Sequence, residues 1–178
     1  IKLENYLEKF VIIVVILDKA LLGNYDIAWE TTGRTIAWTV REIKRIRKQG
    51  YNVTLVYPLV PADTLVSRSK ARETETGQTP APEKQIRDGV VAAIDNLEKL
   101  IDVLDKVYLY DNSGKKVDEN IVIEIENVWD GIKEDAKGLT RNVKCDCDKL
   151  VTMNSAEFAG KIMNVLKKLC HTCEINQH

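Results

Sequence analysis

The sequence predicts an α/β domain whose mainly parallel sheet is flanked by helices, and three observations carry that expectation. Strand-like and helix-like segments alternate along most of the chain, which is the pattern of helices covering a sheet. One long stretch, from Ile86 to Leu104, repeats its apolar residues at helical intervals without a break. Two strand-like segments end in acidic residues, as strands do where a sheet opens onto a ligand crevice.

Leu3, Tyr6, Leu7, Phe10, Leu17, Ala20 and Leu21 recur at helical spacing, and Gly23 supplies a stop. The short apolar segment Asp26-Ile-Ala-Trp-Glu30 reads as a strand, and Thr31-Thr-Gly33 as a turn leading into the next helix. In that helix Ile36, Val40, Ile43 and Ile46 share a face. Arg41, Lys44, Arg45, Arg47 and Lys48 gather toward its end, where cations complement the helix dipole. That basic run reads as structural, with nucleic-acid binding as the lesser alternative.

A second strand is expected over Asn52 to Leu59, followed by a helix that Pro61 and Asp63 open and that carries Arg68 and Arg72. The polar stretch from Glu73 to Pro82 reads as a surface loop. The helix from Glu83 then places Ile86, Val90, Ile94, Leu97, Ile101 and Leu104 on one face. Val107 to Tyr110 reads as a strand ending in Asp111-Asn-Ser-Gly114, and Ile121 to Ile125 as one more. The expected division is a core over residues 1–126 and a helical C-terminal extension over 127–178.

With 178 residues, 44% hydrophobic and 30% charged, the chain is long enough for one ordinary domain with a sizeable core. A net charge of -1 with mixed signs gives no overall pull toward nucleic acid or an anionic membrane. The longest apolar run, Phe10 to Leu17, is far short of the ~20 residues a membrane-spanning helix needs. The four cysteines all lie in the last third, which fits a reducing, cytoplasmic compartment better than a disulfide framework.

Chemistry at the strand ends falls to Glu30 and Asp111. A carboxylate there can hold magnesium or accept a proton from a substrate hydroxyl, and an acidic residue in a polar turn is the plainer alternative. Arg68 and Arg72 lie one helical turn apart, so both can face one bound group, and guanidinium forks suit phosphate oxygens. A solvated helix face is the alternative for that pair.

Several strings in order carry a resemblance. Trp29-Glu-Thr-Thr-Gly33, Gly50-Tyr-Asn-Val-Thr-Leu-Val-Tyr57, the arginine-bearing helix with Thr76-Gly-Gln-Thr-Pro80, and Tyr110-Asp-Asn-Ser-Gly114 together resemble zeta-toxin-family P-loop kinases over residues 20–114. The resemblance implies a P-loop NTPase fold that moves the γ-phosphoryl of ATP or GTP, with Mg2+, to a hydroxyl of a small molecule or sugar nucleotide. It implies Glu30, Arg68 and Arg72 as catalytic residues, Thr32, Arg34 and Thr35 around the substrate, and Asp111 and Asn112 near the nucleotide. The departure is that no Gly-x-x-x-x-Gly-Lys-Ser/Thr occurs in the sequence. The first strand and phosphate loop are therefore expected upstream of Ile1. The alternative is a binding or structural protein that keeps the fold without the loop.

Cys145-x-Cys147 and Cys170-His-x-Cys173 invite a zinc reading, since four thiolates, or three with His171, complete a tetrahedral shell. A helix over Ser155 to Leu169 spans ~22 Å, and the linker from Lys149 to Asn154 returns at most ~20 Å. Cys145, Cys147, Cys170 and Cys173 thus meet only if that linker runs straight back or if they meet across a dimer. Separate buried or free thiols are the alternative. The tail reads as an added element that serves a protein partner or a dimer. Both histidines, His171 and His178, sit at the C-terminus, far in sequence from any nucleophile at a strand end.

Overall fold

A computed structural model describes residues 14–31, 35–113, 121–131, 138–145 and 164–165. The chain divides into two compact units, residues 1–32 and 33–178. In the first unit, residues 14–22 are helical (α1) and bury Leu17 and Leu21. Gly23 and Asn24 close the helix: the Gly23 and Tyr25 N–H groups donate back to the Lys19 and Ala20 carbonyls, and Asn24 takes a left-handed φ of 54°.

The second unit holds α2 (Ile36–Lys48), β1 (Thr54–Leu59), α3 (Ala62–Thr76), α4 (Glu83–Ile101), β2 (Lys106–Asp111), β3 (Ile121–Asp130) and β4 (Gly138–Cys145). The four strands form one sheet in the order β1-β2-β3-β4. β1 and β2 run parallel, in register from Thr54 opposite Lys106 to Leu59 opposite Asp111. β2–β3 and β3–β4 are antiparallel. The sheet is therefore mixed and not mainly parallel. The reason is local: only β1 and β2 are separated by helices, whereas β2, β3 and β4 follow one another through short connections that reverse direction.

Strand alternation sends Leu55, Tyr57, Val107, Leu109, Ile123, Ile125 and Val143 to one face, where they meet Ile43 of α2 and Ile94, Leu97 and Ile101 of α4. Leu59, Leu97, Ile101, Val107, Ile123 and Ile125 are wholly buried, and each such side chain contributes about 1.5–3 kcal/mol by leaving water. A bulge at Val122 puts it beside Ile123 in the same core. Val165, in the two described helical residues of the predicted 155–169 helix, joins it.

The opposite face carries Thr54, Val56, Pro58, Lys106, Tyr108, Tyr110, Glu124, Glu126, Asn142 and Lys144, and none of them belongs to that core. Val56 is 60% exposed. At the edge of the sheet, the Val53 carbonyl accepts from the Asp105 and Lys106 N–H groups and the Leu59 carbonyl accepts from Asn112. Alternate residues of β1 therefore turn toward β2, and Thr54, Val56 and Pro58 turn to the outer edge. There the proline's missing N–H interrupts the row of donors.

Three sequence expectations change. Residues 25–31 form neither strand nor helix, so Glu30 ends no strand; the segment is short and largely exposed. α3 continues through Thr76 and stops at Gly77, whose φ of 68° makes it the left-handed cap, so the loop is shorter than the polar composition from Glu73 suggests. Residue 126 lies inside β3, and residues 138–145 form β4, a strand with no clear alternation of apolar residues to announce it.

Candidate functional site

In an open α/β sheet the crevice for ligands lies beyond the C-terminal ends of parallel strands. Here that is the end of β1 and β2, at Leu59 and Asp111. The Asn112 N–H donates to the Leu59 carbonyl (3.0 Å), which carries the ladder one residue past the strand. Asp111 then folds the chain over. Its Oδ1 accepts from the Ser113 N–H at 2.9 Å and from the Ser113 hydroxyl at 2.6 Å, the self-bonding turn that short polar side chains make.

Arg68 reaches this loop from α3. Its Nη2 donates to the Asn112 carbonyl at 3.0 Å and to the Asn112 Oδ1 at 3.4 Å. The structure thus brings Arg68 onto the Asp111–Asn112 loop, where it bonds Asn112 while Asp111 bonds Ser113. Arg72, one turn on, is exposed, and its backbone carbonyl accepts from the Thr76 hydroxyl at 2.8 Å. Thr35 is exposed at the start of α2, where its carbonyl accepts from the Thr39 N–H and hydroxyl, both at 3.1 Å. Glu30 belongs to the first unit and is exposed. Thr32 and Arg34 lie outside the described residues, as do Cys147, Cys170 and Cys173. Cys145 ends β4 half-buried against the core. No group of three metal-binding side chains occurs among the described residues.

The opposite end of the sheet holds a polar cluster that sequence reasoning missed. Asn127, buried on β3, donates through Nδ2 to the Ile101 and Leu104 carbonyls, both at 2.7 Å, and accepts from Arg141 Nε at 2.9 Å. Arg141 also pairs with Asp102 at 2.9 Å. Asp105 accepts from the Val53 N–H at 2.8 Å and lies 3.5 Å from Arg47 Nε. Arg47, only 6% exposed, donates to the Val103 carbonyl at 3.1 Å, and its guanidinium lies 4.0 Å from the ring centre of Trp129. One signal was readable: Ile123, Ile125 and Asn127 alternate on the core side, so the asparagine occupies an apolar position.

A shallow, mostly apolar depression of about 430 Å3 lies over the first turns of α4, lined by Pro82, Lys84, Gln85, Asp88, Gly89 and Ala92. None of the candidate residues lines it.

Comparison with models of known protein families, with curated proteins and with solved structures finds no match. Function has to be argued from the geometry of this chain. No described helix is long and apolar enough to cross a membrane.

Proposed function

We propose that this chain works by binding, as an interaction or structural module, and not by chemistry at its strand ends. The observation that carries this reading is the bonding of Arg68 to Asn112 across the end of the parallel pair. The arginine best placed to hold a phosphoryl group is engaged with the loop it would have to open toward. Asp111 likewise spends one oxygen on Ser113. The sheet order points the same way. Doubly wound sheets place their first strand in the interior, and here β1 and β2 pair directly through six residues. A phosphate-loop strand lying beside β1, as in a doubly wound sheet, would be left its outer edge, where Pro58 faces out.

The phosphotransferase reading stands second. It is favoured by the meeting of Arg68 with the Asp111–Asn112 loop where a ligand would lie, and it requires ATP or GTP, Mg2+ and a phosphate loop from outside this sequence. Calorimetric titration of Mg-ATP and Mg-GTP separates the two, run on this chain and on the longest encoded form that contains it. The binding reading expects no saturable heat from either. Micromolar affinity in the longer form, with phosphoryl transfer, would overturn it.

A further inference from the structure

The core-distal face of the sheet is laid out in rows. Across the strands, Thr54, Lys106, Glu126 and Asn142 form one row, and Val56, Tyr108, Glu124 and Lys144 form the next. Beyond them come Pro58, Tyr110 and Ile121. Lys106 pairs with Glu126 at 3.2 Å and Lys144 with Glu124 at 3.5 Å, so these rows carry two charges of each sign. Val56 and Ile121 stand exposed beside the half-buried Tyr108 and Tyr110.

Resting on the binding reading above, we infer that this face is a self-association surface, on which a second copy of the chain packs about a two-fold axis parallel to the strands between β2 and β3. The register selects that axis. A rotation about it lays β2 of one copy over β3 of the other and keeps the rows aligned. Lys106 then faces Glu126 of the second copy, Tyr108 offers its hydroxyl to Glu124, and Tyr110 covers Ile121. No two like charges meet. An axis across the strands would instead set Glu124 against Glu126 twice, which is unfavourable.

Six residues at a rise of about 3.3 Å on four strands about 4.8 Å apart cover roughly 400 Å2 of planar face. That is small beside the ~800 Å2 per partner of stable complexes, so the dimer is a weak, reversible one.

Sedimentation velocity of this chain from about 1 to about 300 µM reads the equilibrium. The expected result is a monomer–dimer transition that Lys106→Glu and Glu126→Lys each weaken by roughly tenfold or more. Mixing those two variants restores dimer, because each places opposite charges across the axis although its own in-chain pair is repulsive. Ile121→Gln weakens association without touching a charge, and Lys99→Glu, on the exposed side of α4, leaves it unchanged. Thermal melts monitored by circular dichroism check that each variant is folded. A monomer at every concentration overturns the proposal, as does a dimer indifferent to the exchanges or a mixture of the two variants that fails to associate. None of these results bears on nucleotide titration, so the binding reading and this surface fail separately.

Discussion

The two ends of the sheet each hold an arginine on a backbone carbonyl, and they differ in what surrounds it. At the α4–β2 corner, Arg47 is buried between Trp129 and Asp105, and Asn127 and Arg141 bond the same corner from β3 and β4. At the far end, Arg68 is half-buried and meets a loop whose aspartate bonds mainly to its own turn. The first arrangement joins α2, the end of α4, the residue before β1, β3 and β4 around a buried arginine and a buried asparagine. The second holds one loop on one helix. An arginine's role therefore follows from how many elements converge on it, which its position in a charge run does not reveal.

The sharpest way to break this comparison is Asn127→Ala. It strands the Ile101 and Leu104 carbonyls and the Arg141 Nε in or beside the core, and the expected loss is about 4 kcal/mol in urea unfolding. A loss under about 1 kcal/mol would reduce the corner to ordinary packing.

Between the two ends, Tyr57 points into the core from β1, and burial pushes its phenol from 10.0 up to about 12. The unfolded chain ionises this phenol first. The neutral native form thus holds its full advantage below pH 10 and loses it as pH rises through about 12, a change of about 2–3 kcal/mol. Urea midpoints at pH 9 and pH 11.5 for the natural chain and Tyr57→Phe isolate it, since the lysines titrate in both. Equal alkaline losses in the two would show that Tyr57 is more hydrated than its place in the sheet implies.

Arg68→Ala is expected to cost about 1 kcal/mol, because Asn112 keeps its bond to Leu59 and water reaches the freed carbonyl. Smallest of all, Asp111→Asn preserves the acceptor for Ser113 and should move the urea midpoint by less than about 0.5 kcal/mol. A cost at Arg68 equal to that at Asn127 would erase the distinction between the ends. If Asp111→Asn instead abolished a measurable phosphoryl transfer, the loop would have to be read as a site.

The long helix was legible because Ile94, Leu97 and Ile101 must share a stripe to reach one core, and that stripe shows in any helical projection. β1 and β2 were legible for a similar reason, as apolar runs between turn signals. Their partners were not. Direction in a sheet depends on what joins the strands, and β4, whose inward residues include Arg141 and Val143, lacks the alternation that marks a half-buried strand. The strand predicted at Asp26–Glu30 failed because a few apolar residues become a strand only when another strand pairs with them. At the candidate site, the sequence singled out Arg68, Asp111 and Asn112 but not what each would bond. The corner was hidden because Asn127, Arg47 and Asp105 lie far apart in the chain and meet only once the sheet has formed.

Pro58 carries a consequence for how copies of this sheet can grow. A sheet with two receptive edges adds strands from both sides and lengthens without limit, which is how fibrils propagate. With the β1 edge interrupted by a residue that cannot donate, β4 is the edge left to accept a neighbour, and two copies joined there have used it up. Edge-to-edge growth of the described sheet therefore stops at a pair, and any lengthening beyond it needs a second surface.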